Sequence, residues 1–295
     1  MPESNSARDI RGVDARIEPI HELPSQLLED EGTVHLMVSN KDRRTQSPQT
    51  HCHLFTDKDL PAESFYLWRD NVLVPSPELC FCIMARHLGR TELLRLGMEL
   101  CGHYRRADSK TSYELEQLTC TGKLCHFLER MPKVRGIGVA REAASRLIDH
   151  SNSPRETLIA LMCSLPAQSG GFQLPKPVMN QTIDLPDGAK TIAGQGSAAG
   201  DIFWEKHALI IEYDSDEFHS NRRARDLERR NGIEAAGIHV ITITNGIASD
   251  YERLTSSLSV AHDLIRARKT NATPRVDAPR HKLYHELSCF SHYTC

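Results

Sequence analysis

Three acidic residues near two apolar runs are the part of this sequence that points most directly to chemistry. Asp201 opens the run DIFW, and the run ALII is followed by Glu212 and Asp214, two positions apart. Successive side chains of a strand point to opposite faces, so Glu212 and Asp214 share one face. If the strand of Asp201 pairs beside theirs, three carboxylates meet at one end of a small sheet. Such carboxylates can hold Mg²⁺ or Mn²⁺ against a phosphodiester.

Basic residues follow these acids directly. His219 comes after the second run, and imidazole suits a general acid or base because it titrates near neutrality. A helix-like segment over residues 220–237 then carries four arginines that could contact phosphates: Arg223, Arg225, Arg229 and Arg230. Crowded carboxylates raise each other's pKa by about a unit or more, or about 1.4 kcal/mol each, and so need compensating positive charge. Between residues 201 and 214 there is no arginine and a single lysine, which favours a metal.

Each candidate also has a purely structural interpretation. Glu156 stands three residues after Ser153, the spacing of a capping box, although it could instead supply a ligand or orient a water molecule. An arginine from the following helix could neutralise Asp201 and Glu212 without any metal. His219 could be an ordinary turn residue, and the arginine run could be a solvated helix face. The sequence leaves these alternatives open.

The elements that must position these residues predict a mixed α/β domain over residues 151–270. The order is a helix beginning at residue 153, strands over 178–185, 200–204 and 207–214, a helix over 220–237, a strand over 238–244 and a helix over 245–268. Glu205-Lys206 predicts a tight hairpin between the second and third strands. Pro186-Asp187-Gly188 predicts a turn. The fold class expected is α/β (α+β), a mixed sheet flanked by helices.

The remaining sequence divides into three regions. Residues 1–30 are polar with scattered prolines and predict partial disorder. Residues 31–150 predict a small β-plus-helical region, with strands over 34–39, 50–56 and 64–74 and a helix from the Ser76-Pro77-Glu78 start signal. Residues 271–295 predict an irregular tail, because no apolar stripe is evident there.

Composition indicates a globular protein without a strong charge signature. The 295 residues carry 36 basic and 39 acidic side chains, for a net charge of −3, so binding to nucleic acid would need a local basic patch. No apolar run has the length of a membrane span or the form of a signal peptide, and we expect a cytoplasmic protein with no membrane contact. Nine irregularly spaced cysteines do not predict a disulfide framework.

Taken together, the motifs in residues 151–270 resemble the PD-(D/E)XK nuclease superfamily, in the branch related to very-short-patch repair endonucleases. The resemblance is carried, in order, by SPRE at 153–156, DIFW at 201–204, EYD at 212–214, His219, RARDLERRN at 223–231 and HVITIT at 239–244. It implies a restriction-endonuclease-like fold and a Mg²⁺-dependent endodeoxyribonuclease with Asp201 and Glu212 as ligands. Asp214 stands where the superfamily usually has a lysine, a departure that the narrower branch shares. There it would bind a second metal or orient water.

The region before residue 150 resembles antitoxins of abortive-infection (type IV toxin–antitoxin) systems. The similarity rests on NVLVPSPE at 71–78 and on VRGIGVAREA at 134–143. It implies recognition of a protein or DNA partner, in a setting of defence, repair or toxin–antitoxin control. Two alternatives to a nuclease remain open at this point. One is a catalytically inactive nuclease fold that binds DNA or regulates, and the other is a protein-interaction module without nucleic-acid contact.

Overall fold

A computed structural model describes residues 3–5, 34–38, 40–44, 50–55, 59–69, 72–106, 111–215, 223–266 and 274–288. Its strands are β1 (Glu3–Asn5), β2 (Val34–Val38), β3 (Thr50–Leu54), β4 (Phe65–Arg69), β5 (Val72–Pro75), β6 (Arg105–Arg106), β7 (Thr111–Ser112), β8 (Val178–Asp184), β9 (Ser197–Trp204), β10 (Leu209–Asp214) and β11 (His239–Thr244). Its helices are α1 (Pro77–Met84), α2 (Arg90–Leu100), α3 (Thr121–Arg130), α4 (Ile137–Ala144), α5 (Pro154–Ser164), α6 (Asp187–Ala193), α7 (Arg223–Ala235), α8 (Asn245–Ala248), α9 (Tyr251–Arg266) and α10 (Pro274–Ser288). The fold is therefore mixed α/β, as predicted.

A four-stranded mixed sheet lies in the C-terminal half, in the order β11-β10-β9-β8. Strand β9 pairs antiparallel with both β8 and β10, whereas β11 runs parallel to β10. The inner strand β10 begins with Leu209, Ile210 and Ile211, which are all fully buried, as expected for a strand covered on both faces. The predicted hairpin is confirmed: a short 3-10 turn over Glu205–His207 joins β9 to β10, and Ala208 takes a left-handed φ of 45° to close it.

The sheet separates two hydrophobic clusters of unequal size. Ile202, Leu209 and Ile211 face the main core, whereas Phe203 and Ile210 face a smaller cluster covered by α6 and α7. Helices α6 and α7 approach each other closely at Gly232. A Cβ added there would lie 2.4 Å from the Cβ of Ala193, so only glycine allows this spacing. This contact fixes the position of α7 over the sheet.

The main core continues without a break from the helical N-terminal region into the C-terminal half. It includes Phe65 and residues of α1 to α5, and it extends to Leu287 of α10. The predicted boundary at residue 150 therefore does not separate two hydrophobic cores. The helix start at Ser76 is confirmed, because its Oγ accepts a hydrogen bond from the backbone N–H of Leu79 at 3.2 Å.

Two predictions about local structure are wrong. The segment 186–188 is not a turn but the start of α6, since Pro186 is the N-cap residue and the chain continues as helix to Ala193. The tail is not irregular over 274–288, where α10 forms. Leu283 and Leu287 lie one turn apart on α10 and are buried. This narrow apolar stripe is enough to hold α10 in place, because α10 packs against α2, α5 and the turn at 167–169.

The predicted strands of the N-terminal region are present. Strands β2 and β3 pair in parallel, and β4 pairs with β5 and β1 in an antiparallel sheet. Apart from β1, the segment 1–30 predicted to be partly disordered lies outside the described residues. The seven cysteines that are described are free thiols. Within the described part of the chain, no helix combines the length and apolar character needed to cross a membrane.

Candidate active site

Asp201 and Glu212 meet where the pairing of β9 with β10 ends. The ladder runs from Leu209 opposite Trp204 to Ile211 opposite Ile202, so Asp201 and Glu212 occupy the next opposing positions. Beyond that point a side chain replaces the backbone as hydrogen-bond acceptor. Asp201 Oδ2 accepts a hydrogen bond from the backbone N–H of Tyr213 at 2.7 Å. The side chains of the two acids thus share one end of the hairpin, as the sequence predicts.

The pKa of Asp201 reflects its burial and the acids around it. Its pKa is raised from 3.8 to about 7, first by burial and then by the negative charge of Glu156, with Glu212 adding a smaller effect. The Tyr213 N–H and the Arg229 guanidinium oppose the rise. Burial and the neighbouring acids thus both disfavour the charged form of Asp201.

Asn180 marks the irregular point of the sheet beside Asp201. Strands β8 and β9 pair on both sides of these two residues but not at them, and Asn180 has a left-handed φ of 51°. Met179 faces the main core, whereas Ile183, four residues later, packs on the small cluster. In a regular strand, residues four apart share a face, so the strand pair turns over at Asn180. The turn places Asp201 at the junction of the two faces.

Glu156 is held as a helix cap rather than presented as an open ligand. The Ser153 Oγ accepts the N–H of Glu156 at 3.1 Å and also donates to its Oε1 at 2.9 Å. The other oxygen, Oε2, accepts from the Asn152 backbone at 3.0 Å and from Asn180 Nδ2 at 2.7 Å. Burial raises the pKa of Glu156, and these hydrogen bonds oppose the rise. Glu156 therefore anchors α5 to β8 and adds negative charge beside Asp201.

Glu212 has an arginine partner and still keeps one oxygen without a hydrogen bond. Arg229 of α7 places Nη1 2.8 Å from Glu212 Oε1, while the same nitrogen donates to the carbonyl of Ala199 at 2.9 Å. The approach to Glu212 is close in distance but misdirected, because Oε1 is buried and makes no hydrogen bond. The contact is thus an ion pair without a hydrogen bond, and a cation could reach Oε1 only if the guanidinium moved aside.

The other predicted residues are dispersed. Asp214 is exposed at the end of β10 and is paired with β11 through its backbone. Arg230 turns toward β11, donating to Thr242 Oγ1 at 3.1 Å, and also bonds to Glu234. Arg225 is exposed on α7. His219 lies outside the described residues, as does the side chain of Arg223.

The donor set fits a hard divalent cation only in part. Across the described ranges, no three or more side chains of His, Cys, Asp or Glu stand close enough together to hold a metal ion. Asp201 and Glu212 remain as two neighbouring carboxylates, one of which has an oxygen without a hydrogen bond. Mg²⁺ commonly binds through one or two carboxylates and completes its shell with water and phosphate oxygens. Two carboxylates are the number that such a site uses, whereas a closed metal cage needs more.

Asn180 is the residue of the site that the sequence analysis missed. A signal was present, because Asn is disfavoured inside strands and tolerates a left-handed backbone, and here it interrupts the run VMNQTIDL. Its contact with Glu156 joins segments 24 residues apart, which no spacing rule would have predicted. Comparison of the chain with family models, with curated proteins and with solved structures finds no match.

Proposed function

We propose that this chain is a metal-dependent nuclease that hydrolyses phosphodiester bonds, with DNA as its substrate. The observation that carries the proposal is the meeting of Asp201 and Glu212 at the end of the hairpin, where burial first, and then the charges of Glu156 and Glu212, raise the pKa of Asp201 to about 7. The proposal includes the restriction-endonuclease-like fold and the kinship to very-short-patch repair endonucleases. It also places the protein in defence, repair or toxin–antitoxin control, with the N-terminal region recognising a partner.

In this proposal Asp201 and Glu212 hold Mg²⁺ or Mn²⁺ through one oxygen each. The bound cation would polarise the phosphate and acidify a water molecule. Asp201 keeps its other oxygen on the Tyr213 N–H, which fixes the direction of the carboxylate. Glu212 offers Oε1, the buried oxygen that has no hydrogen bond. Glu156, with its oxygens hydrogen-bonded, positions β8 against α5 and does not serve as a ligand.

Arg229 has a second task in the same scheme. Its guanidinium neutralises Glu212 while no other cation is present. If Glu212 held a cation, Arg229 would be free to contact a phosphate oxygen, for which a guanidinium is well suited. Arg225 is exposed on the same helix and extends the positive surface toward the nucleic acid.

The proposal is tested by cleavage of supercoiled plasmid DNA with Mg²⁺ or Mn²⁺. We expect nicking or linearisation by the full chain, with loss of activity on addition of EDTA. Asp201→Asn should abolish the reaction, because the amide keeps an acceptor for Tyr213 but is a poor cation ligand. An absence of cleavage by the folded protein with either cation would refute the nuclease assignment.

A catalytically inactive, nuclease-like DNA-binding or regulatory protein is the second candidate. It is favoured by the Arg229–Glu212 ion pair, which already compensates one carboxylate, and by Asp214 in place of a lysine. This candidate predicts salt-dependent DNA binding without cleavage, weakened by Arg229→Ala. Binding with no cleavage in Mg²⁺ or Mn²⁺ would favour it over the nuclease.

A further inference from the structure

Two histidines from distant parts of the chain form a directed hydrogen-bonded pair beside this site. His103 Nε2 lies 3.2 Å from His150 Nδ1, and His103 Nδ1 lies 2.9 Å from the carbonyl of Leu115. The ring planes differ by 11° and the centroids are 5.4 Å apart. That separation is close to the N–N distance plus two ring radii, so the rings lie edge to edge, in an arrangement that suits a hydrogen bond.

The carbonyl of Leu115 decides how the protons are arranged. A carbonyl only accepts, so His103 Nδ1 carries the hydrogen and its Nε2 is the acceptor in the neutral ring. His150 Nδ1 must then donate to His103, which leaves His150 Nε2 as the outward-facing atom. In the part of the chain that the structure describes, no group is hydrogen-bonded to His150 Nε2, and the residue is exposed.

Asn180 ties the backbone of His150 to Glu156. His150 has a left-handed φ of 69°, like Asn180 with 51°. Asn180 Nδ2 donates both to the His150 carbonyl and to Glu156 Oε2, at 2.7 Å in each case. Asparagine and histidine adopt this backbone conformation more often than most residues, and here one amide side chain joins the two positions.

An open cleft of about 550 Å³ lies along this junction. Its walls include His150, Thr121, Lys176, Asn180 and Gln181. Lys176 donates to the carbonyls of Ser145 and Leu147 and so brings a positive charge to the wall. A cleft of this size accommodates a nucleotide, and Asn180 lies both on its wall and beside Asp201.

We propose that this cleft takes the leaving-group side of a cleaved nucleic acid strand, and that His150 is the catalytic residue that protonates the leaving oxygen. The inference rests on the proposed nuclease function. Water forms the new P–O bond and releases its proton to solvent. The bond from phosphorus to the leaving oxygen breaks, and that oxygen takes the proton from Nε2 of the His150 imidazolium, which leaves a neutral ring with its hydrogen on Nδ1, donated to His103. Solvent then returns a proton to His150 Nε2. His103 acts as a positioning residue that directs Nε2 into the cleft.

The test compares two phosphodiesters whose leaving groups differ in basicity. DNA releases an alkoxide that needs a proton, whereas bis(p-nitrophenyl) phosphate releases a stable phenolate that does not. His150→Asn keeps a residue that tolerates the left-handed backbone but supplies no acid. We expect it to slow DNA cleavage by roughly 10²–10⁴-fold, the usual contribution of a general acid, and to change cleavage of the aryl ester by only a few-fold. His103→Ala should act in the same direction with a smaller loss.

The controls separate this inference from the proposed function. His207→Asn changes an exposed histidine in the hairpin turn and should cleave both substrates at the wild-type rate. If wild-type protein cleaves both substrates but His150→Asn retains DNA cleavage, or loses both activities equally, the role of His150 is refuted and the nuclease stands. If the wild type cleaves neither substrate, the proposed function fails and the inference fails with it.

Discussion

Buried carboxylates occur in two regions of this molecule, and their surroundings differ. In the helical N-terminal region, Glu78 accepts a hydrogen bond from Thr119 Oγ1, and Glu99 accepts the backbone N–H of Arg106 at 2.9 Å. Glu99 also raises the pKa of Arg105 by its charge, against the larger opposing effect of burial. Each of these acids accepts a hydrogen bond from a nearby donor, and neither is among the charges that raise the pKa of Asp201.

In the sheet region, by contrast, the charges of Glu156 and Glu212 both act on Asp201, with Arg229 as the opposing positive charge. Burial of an acidic side chain therefore does not by itself identify a functional site, because a buried acid that is satisfied by hydrogen-bond donors can simply stabilise the fold. Mutual crowding and an oxygen without a hydrogen bond are the features that distinguish the candidate site. Isosteric substitutions in the two regions should therefore have opposite consequences.

The largest expected effect is on cleavage, and two residues of one strand give a matched pair. Glu212→Gln should reduce Mg²⁺-dependent DNA cleavage on the order of 10²–10⁴-fold, the scale of one positioned catalytic group. Asp214→Asn, two residues along on β10, should change the rate by only a few-fold because Asp214 is exposed. Glu99→Gln should leave the rate per folded molecule unchanged. Equal losses at 212 and 214 would show that proximity to the hairpin end does not define the site.

The next effect is on the free energy of unfolding in the absence of metal. We expect it to have opposite signs for substitutions in the sheet region and in the helical N-terminal region. At pH 8, Asp201→Asn should raise the free energy of unfolding, by at most about 4 kcal/mol for a pKa that moves from 3.8 to about 7. Glu99→Gln should lower it by about 1 kcal/mol, because it weakens the charged partner of Arg105. Urea denaturation with EDTA present measures both. Destabilisation by Asp201→Asn would contradict the crowding described here.

The same substitution makes a signed prediction about pH. The raised pKa of Asp201 means that the folded state binds the proton more tightly than the unfolded state. The resulting stability is fully present below pH 3.8 and is lost as the pH rises through about 7. The advantage of Asp201→Asn over wild type should therefore be about 2 kcal/mol at pH 5 and approach its maximum of about 4 kcal/mol at pH 8. A constant difference across this range would mean that the carboxyl group does not titrate there.

A smaller effect is expected where α7 is fixed over the sheet. Gly232→Leu forces a side chain into Ala193 and should cost about 1–3 kcal/mol, the usual range for overpacking. Because α7 carries Arg229, the displaced helix should also weaken DNA binding. Gly138 provides a control, since a Cβ there has no atom within 4 Å, and Gly138→Ala should preserve both properties. Unchanged stability in Gly232→Leu would contradict the close packing of α6 on α7.

The sequence predicts the parts of the site that depend on local periodicity. The apolar runs before Asp214 and Thr244 locate β10 and β11, and the tight Glu205-Lys206 connection places Asp201 opposite Glu212. These features follow from alternation along a strand and from hairpin register, which act over a few residues.

Long-range packing decides the remainder, and local patterns do not encode it. Arg229 reaches Glu212 only because Gly232 seats α7 against α6, a helix that the sequence analysis read as a turn. The His103–His150 pair joins residues 47 positions apart. Helix α10 forms because Leu283 and Leu287 are buried where it packs against α2, α5 and the turn at 167–169. These two contacts and this helix depend on the tertiary arrangement and cannot be predicted from local sequence patterns.

Whether Asp201 and Glu212 share one cation can be measured by a Mn²⁺ titration followed by electron paramagnetic resonance. We expect wild-type protein to remove free Mn²⁺ from solution by binding, Asp201→Asn and Glu212→Gln each to lose this binding, and Asp214→Asn to retain it. Equal binding by wild type and Asp201→Asn, or no binding by folded wild-type protein at millimolar Mn²⁺, would contradict this expectation.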